Sequence, residues 1–173
     1  MESYPTGKVP KGIRLNLEAT DFFLPEPSKQ ATVVGHGKLM HELLANISST
    51  DKLSEAIAAF VREGRVQQSD AAALAESLNG KLAAEPFADW FSNRYKVKNE
   101  ATILTPDGRS YRPDRVMVKD NAAIVVDFKF GHEDASHAIQ VRSYAALLTQ
   151  MGYSPVSGYV WYVESNELKK VVG

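Results

Sequence analysis

The residues best suited to chemistry in this 173-residue sequence are two aspartates and a lysine. Asp114 follows Pro113, and after twelve further residues the triplet Asp127-Phe128-Lys129 begins. Carboxylates bind hard metal ions, and a lysine carries a compact positive charge that attracts phosphate. The indicated chemistry is a metal-assisted reaction on a phosphate group, provided that the fold brings the three side chains together.

A predicted β-hairpin brings them together. Residues 111–130 have the pattern of two strands joined by a two-residue turn at 120–121. With that turn, Asp114 stands directly opposite Asp127, and their Cβ atoms are about 5 Å apart on one face of the sheet. Lys129 lies two residues beyond Asp127 and therefore shares its face.

Two carboxylates this close repel each other unless a cation lies between them. Oxygen ligands select a hard ion such as Mg²⁺ or Mn²⁺, and Lys129 would then stabilise charge on a phosphate or help to orient or deprotonate a water. The alternative is a structural Asp–Lys pair at a sheet edge. The facing aspartate in register, and the apolar run at 124–126 that leads into the triplet, favour the metal site.

Composition excludes several other classes. There is no cysteine, so disulfides, thiolate catalysis, zinc fingers and cysteine-held iron–sulfur clusters are excluded. The formal net charge of −1 gives no support for nucleic-acid binding, although residues 94–119 hold seven basic residues against three acidic ones. No apolar run reaches membrane-spanning length and the N-terminus lacks a signal pattern, so we expect a soluble, cytoplasmic protein.

The elements that position these residues form one predicted α/β domain over residues 1–173, a mixed sheet with helices on both faces. A strand is predicted at 12–17 and a loop at 20–35. The predicted helices are 37–48, a segment from an N-cap at Thr50 to about Arg62, 70–84 with Ser69 as cap, and 134–151. The further predicted strands are 95–104, 111–119, 122–130, 156–163 and 168–172.

Three motifs occur in an order that resembles the PD-(D/E)xK nuclease superfamily. They are Gly-x-x-x-His at 37–41, Pro-Asp and Asp-x-Lys at 113–129, and Gln-x-x-x-Tyr at 140–144. More narrowly, the set resembles the RecB/AddA-like nuclease domains at the C-terminal ends of bacterial helicase–nucleases, over roughly residues 10–172. The resemblance implies a restriction-endonuclease-like core, with a mixed central β-sheet flanked by helices and an extra helical insertion.

The resemblance also implies roles for individual residues. The metal ligands would be His41, Asp114, Asp127 and the main-chain carbonyl of Phe128. Lys129 would activate water or stabilise charge at the scissile phosphate. Gln140 and Tyr144 would position Lys129 or contact the DNA backbone, although Tyr144 also lies on an apolar helix stripe and could belong to the core.

Three charged residues near Asp114 have two interpretations each. Arg112 and Arg115 flank it and would hold DNA phosphates, or they are solvated strand residues. Glu100, in the preceding predicted strand, could face the metal, but a surface position is the favoured interpretation.

The function implied by the resemblance is that of an Mg²⁺- or Mn²⁺-dependent DNA exonuclease in double-strand break repair and recombination. Its expected partners are DNA, helicase motor domains in the same chain and a second helicase–nuclease subunit. Because no phosphate-binding loop of the Gly-x-x-x-x-Gly-Lys-Ser/Thr type occurs, residues 1–173 are expected to be the nuclease domain of a longer helicase chain and not its motor. The alternatives are a catalytically weak DNA-binding or docking module, and a hydrolase of another phosphate ester.

Overall fold

The computed structural model describes residues 29–173, with side chains from Gly35 onward, and the residues from His36 onward form one compact unit. The strand predicted at 12–17 and the first part of the predicted loop lie outside the described residues. No helix in the described part of the chain combines the length and the apolar character that crossing a membrane requires.

The described residues form five helices and seven strands. The helices are α1 (Lys29–Asn46), α2 (Leu53–Arg62), α3 (Ala71–Leu82), α4 (Phe87–Trp90) and α5 (Ala135–Gln150). The strands are β1 (Lys96–Asn99), β2 (Ile103–Leu104), β3 (Ser110–Tyr111), β4 (Arg115–Lys119), β5 (Ala122–Lys129), β6 (Val156–Tyr162) and β7 (Glu167–Val172). A short 3₁₀ turn, Thr50–Lys52, precedes α2.

Five of the strands form the central sheet, in the order β1-β4-β5-β6-β7. Strands β5 and β6 are parallel, whereas the other neighbours are antiparallel. A parallel pair needs a long crossover connection, and α5 provides it. Strands β2 and β3 form a separate two-stranded sheet. The prediction of a mixed sheet is confirmed.

Apolar side chains pack on both faces of this sheet. On one face Met117, Phe128 and Trp161 belong to a core shared with α1 to α4. Helices α2, α3 and α4 are the helical insertion, which lies between α1 and β1. On the other face Val125 packs in a second core with Val141 of α5. The sheet is therefore flanked by helices on both sides, as predicted.

Two predicted strands are each interrupted. The segment predicted as one strand over 95–104 turns at Glu100, whose φ of 48° is the left-handed conformation, and its second part pairs in the small sheet instead. The segment predicted over 111–119 is interrupted by Pro113, which has no N–H to donate to a sheet ladder. Strand β4 therefore begins at Arg115, and Asp114 lies at the corner just before it.

Three helix boundaries also differ from prediction. Residues 29–35, predicted as loop, belong to α1, because prolines at 25 and 27 exclude a helix only at and just before themselves. Thr50 is not the N-cap of α2; its N–H donates to the carbonyl of Phe91 at 2.9 Å, and the residue lies in the 3₁₀ turn. The N-cap of α3 is Asp70 rather than Ser69.

Candidate active site

The β4–β5 hairpin has the register that its turn predicts. Arg115 pairs with Val126, so that the next residue outward on each strand is an aspartate. The carboxylate of Asp114 is held at this end of the hairpin, because its Oδ2 accepts the main-chain N–H of Phe128 at 2.6 Å. The two aspartates that the sequence places face to face are neighbours in the structure.

Asp127 is a buried carboxylate with one cationic neighbour. Only 2% of the residue is exposed, and Nζ of Lys129 lies 2.7 Å from its Oδ2. Within the described residues this ion pair is the polar contact of Oδ2, and no further group donates a hydrogen bond to it. Burial, together with the negative charge of Asp114, raises the pKa of Asp127 to about 6. The site therefore holds a buried carboxylate whose ionised form the protein disfavours.

Helix α1 brings His41 to the same place. Its Nε2 donates to Oδ1 of Asp114 at 3.0 Å, and this hydrogen bond raises the pKa of His41. The other ring nitrogen, Nδ1, lies 3.6 Å from Oε1 of Glu100. The ring meets the edges of Phe128 and Phe130, with centroids 6.2 and 6.4 Å away. The histidine is thus held between two carboxylates and two aromatic rings.

A steric constraint explains why the first residue of the Gly-x-x-x-His motif is a glycine. A Cβ built on Gly37 would lie 3.0 Å from Cβ of Phe130, which follows Lys129 at the end of β5. Real Cβ atoms rarely come so close to a neighbouring atom. The glycine therefore lets α1 approach the end of the strand that carries the Asp-x-Lys triplet, and one helical turn later the same helix presents His41.

Helix α5 holds Lys129 from the opposite side. Nζ of Lys129 donates to Oε1 of Gln140 at 3.0 Å, and Nε2 of Gln140 donates to the hydroxyl of Tyr144 at 2.8 Å. The two helix residues are four apart and therefore lie on one face. Tyr144 is also buried and meets Tyr111 edge to face, so the core interpretation and the positioning interpretation both describe it. Burial raises its pKa, so the phenol keeps its proton.

The two arginines beside Asp114 have different environments. Arg112 is exposed, and its guanidinium pairs with the carboxylate of Glu100 and donates from Nε to the carbonyl of Glu100 at 3.1 Å. Arg115 is completely buried, with its guanidinium 3.9 Å over the ring of Phe91. Burial lowers the pKa of Arg115 to about 9, which still leaves it charged at pH 7.

The prediction that Arg115 holds DNA phosphates is therefore wrong. A guanidinium inside the core has no exposed surface to offer a phosphate, so Arg115 is removed from the predicted DNA contacts. Arg112 keeps an exposed side chain and remains a candidate DNA contact.

Glu100 was expected at the surface, but it lies beside His41. Its position directly after the strand that pairs with β4 is the sequence feature that could have indicated this.

The carboxylate donors of the site suit a hard divalent ion. The candidate side-chain ligands are one imidazole and two carboxylates, and the buried Oδ2 of Asp127 has no hydrogen-bond donor beyond its ion pair with Lys129. In a β-strand the N–H and C=O of one residue point to the same side, so the carbonyl of Phe128 faces the side on which its N–H binds Asp114. These features fit the predicted Mg²⁺ or Mn²⁺ site.

The ligands are not arranged as a finished metal site. Over residues 29–173 no three His, Asp or Glu side chains stand close enough together to hold an ion. Oδ1 of Asp114 is bonded to His41 and Oδ2 to Phe128. Ion binding would therefore have to replace the hydrogen bond between His41 and Asp114.

Comparison with known proteins identifies one matching family. The sequence model described as "PD-(D/E)XK nuclease superfamily" matches residues 15–172, nearly the whole chain. The match includes the aspartate pair, the lysine, and both helices that reach them. A search of curated proteins finds no match to the chain.

The raised pKa of Asp127 predicts a pH-dependent gain in stability for Asp127→Asn. The folded protein binds this proton more tightly than the unfolded chain, so the parent loses stability as pH rises from about 4 to 6. An asparagine does not titrate, so the stability of the variant relative to the parent should rise over this interval by on the order of 1–3 kcal/mol. Denaturant unfolding in EDTA at pH 4 and pH 7 measures the difference.

Asp120→Asn is the matched control, since it makes the same change at an exposed turn. If both variants show the same difference between the two pH values, the electrostatic account of Asp127 is wrong.

Gly37→Ala should fail to stabilise its helix. Replacing a mid-helix glycine by alanine ordinarily gains about 0.5–1 kcal/mol. Gly80→Ala in α3 should show that gain, because nothing lies within 4 Å of the added methyl group. At Gly37 the methyl group meets Phe130, so we expect a net loss of about 1 kcal/mol or more. Equal stabilisation of the two variants in denaturant unfolding would contradict the close-approach argument.

Proposed function

Because the chain belongs to the PD-(D/E)XK nuclease superfamily, we propose that it is a metal-dependent nuclease that hydrolyses phosphodiester bonds in DNA. The observation that carries the proposal is the adjacent pair of Asp114 and the buried Asp127, with Lys129 held between Asp127 and Gln140. Two adjacent carboxylates beside an anchored cation form an environment that a divalent ion and a phosphate would share.

In this proposal His41, Asp114, Asp127 and the carbonyl of Phe128 hold the metal. Mg²⁺ or Mn²⁺ would supply a Lewis acid for the phosphate and a more acidic bound water. The repulsion between the two carboxylates favours this binding, because a cation relieves it. His41 would give up its bond to Asp114 and keep its Nδ1 turned toward Glu100, a carboxylate of the kind that commonly orients metal-binding histidines.

Lys129 acts on the substrate in this proposal. Its ammonium group is fixed by Gln140, which is fixed in turn by Tyr144. A lysine held in this way presents positive charge at one point without first having to be ordered, and this is how preorganised groups stabilise the charge that develops in a transition state. Once Asp127 binds an ion, Gln140 still restrains Lys129.

The finer assignment follows from the order of the motifs. We infer an exonuclease of the RecB/AddA-like kind, acting in DNA double-strand break repair in the cytoplasm. Helicase motor domains in the same chain and a second helicase–nuclease subunit would supply the DNA strand. Arg112, the exposed arginine beside Asp114, would contact the DNA backbone, with Gln140 and Tyr144 at the same edge of the site.

We expect degradation of linear single- or double-stranded DNA in the presence of Mg²⁺ or Mn²⁺, and none in EDTA. Covalently closed circular DNA should survive, because an exonuclease needs an end. Asp127→Asn should reduce cleavage below detection while Asp120→Asn retains it. Gel assays of each linear and circular substrate with Mg²⁺, Mn²⁺ or EDTA measure these outcomes.

Undiminished cleavage by Asp127→Asn would contradict the assignment. DNA binding without cleavage would favour the binding-module alternative instead. Turnover of a small phosphodiester such as bis-p-nitrophenyl phosphate, with DNA left intact, would favour a different phosphate-ester hydrolase.

Lys129→Met should separate catalysis from metal binding. Removing the ammonium group should lower the cleavage rate about 10²–10³-fold, the typical effect of losing one charge-stabilising group. Mn²⁺ binding, measured calorimetrically, should be kept or strengthened, because the cation paired with Asp127 is gone. Lys119→Met, at an exposed strand end, is the control. A variant that cleaves at the parent rate would exclude Lys129 from the chemistry.

A further inference from the structure

The C-terminal end of α1 is held by two side chains that face away from the candidate active site, those of Asn99 and Arg115. Nδ2 of Asn99 donates to the carbonyls of Ala45 at 2.8 Å and Ile47 at 2.9 Å. The last carbonyls of a helix have no partner within the helix, so an outside donor satisfies them. Ala45 lies one helical turn after His41.

Arg115 satisfies further carbonyls at the same point. One terminal nitrogen donates to the carbonyl of Ile47 at 2.9 Å, and the other to those of Ser48 at 2.6 Å and Trp90 at 2.9 Å. The guanidinium also lies over the ring of Phe91. Each acceptor among these is a neutral oxygen, so the buried cation is balanced by carbonyl dipoles, which carry partial negative charge at a helix end.

The two side chains form one unit, which we call the α1 clamp, consisting of Asn99 and Arg115. They are paired across β1 and β4, and Oδ1 of Asn99 accepts from Arg115 at 3.3 Å. Each is the chain neighbour of a residue in the site: Asn99 precedes Glu100, and Arg115 follows Asp114. The same two corners of the sheet therefore hold the end of α1 and present the carboxylates that face His41.

We propose that the α1 clamp is a positioning device, which fixes helix α1 against the start of β4 so that His41 meets Asp114. This role rests on the proposed function, because positioning His41 serves metal binding only if His41 is a metal ligand. Helix α1 reaches this part of the sheet through a close approach at Gly37 and through the clamp after residue 45, and His41 lies between the two points.

The chemistry of the clamp explains the use of an arginine. A planar guanidinium presents several N–H groups in a fixed fork, whereas a lysine ammonium group is a single point on a flexible stem. The fork reaches the carbonyls of residues 47, 48 and 90 at once. A lysine here would keep the charge but could not bond to all three, so the end of α1 would be free to shift.

The test uses Arg115→Lys and Asn99→Ala, and Leu82→Ala as the control. Leu82 is fully buried in α3, so its truncation lowers stability without removing a hydrogen bond to α1. Two readouts are taken under conditions in which each protein is folded. The first is the long-range ¹H–¹⁵N spectrum of the His41 ring in metal-free protein, which reports the Nε2 hydrogen bond to Asp114. The second is the dissociation constant for Mn²⁺ from calorimetry.

Both clamp variants should move the His41 signals toward those of the exposed His132, and should weaken Mn²⁺ binding by about 10–100-fold, as loss of support for a ligand typically does. Leu82→Ala should change neither. If Arg115→Lys does not fold, Asn99→Ala carries the test alone, since it removes two hydrogen bonds to the helix end and the one accepted from Arg115 but leaves the buried guanidinium in place.

The proposal is overturned if the clamp variants leave the His41 signals unchanged, or if Leu82→Ala moves them equally. A parent protein that binds no Mn²⁺ would refute the proposed function. In that case the His41 spectrum would still decide whether the clamp positions this residue, so the two failures are distinguishable.

Discussion

The repulsion between Asp114 and Asp127 is the constraint on which the candidate site depends. The hairpin register holds two carboxylates side by side at the edge of the sheet, and one of them is buried. A fold gains nothing in stability from this arrangement, and the raised pKa of Asp127 records the cost. Every polar neighbour of the pair offsets that cost in part: the ammonium group of Lys129, the imidazole of His41 and the N–H of Phe128.

The helix residues that support the site come from opposite sides of the sheet, so the layered architecture is what brings both to it. Helix α1 delivers His41 from one face, and α5 delivers Gln140 from the other. The core on each face packs against one of these helices, so each core contributes to the position of one helix residue of the site. The close contact at Gly37 and the hydrogen bonds of the α1 clamp restrain one of these helices more closely than apolar packing alone would.

Much of the site could be predicted from sequence because it follows from local rules. A two-residue turn fixes a hairpin register, so residues 120–121 are enough to place Asp114 beside Asp127. The spacing of four residues in a helix is enough to place Gln140 next to Tyr144. The mixed sheet with helices on both faces follows in the same way from the order of the elements.

The wrong predictions arise where tertiary packing, and not the local sequence, determines the position of a side chain. An arginine beside an active-site aspartate has the local pattern of a phosphate ligand, and nothing near Arg115 in sequence reveals the helix end that it fills, formed by residues 47 and 48. Glu100 belongs to a segment with strand-like residues, but it adopts a left-handed backbone and faces His41.

Paramagnetic broadening by Mn²⁺ tests the central claim most directly, namely that the aspartate pair is a divalent metal site. Substoichiometric Mn²⁺ added to ¹⁵N-labelled protein should broaden first the amide signals of Asp114, Asp127 and Phe128 and the ring signals of His41. Signals from residues farther from the pair should broaden less, because the effect falls steeply with distance from the ion. Broadening centred elsewhere, or uniform weak broadening of exposed acidic residues, would contradict the account.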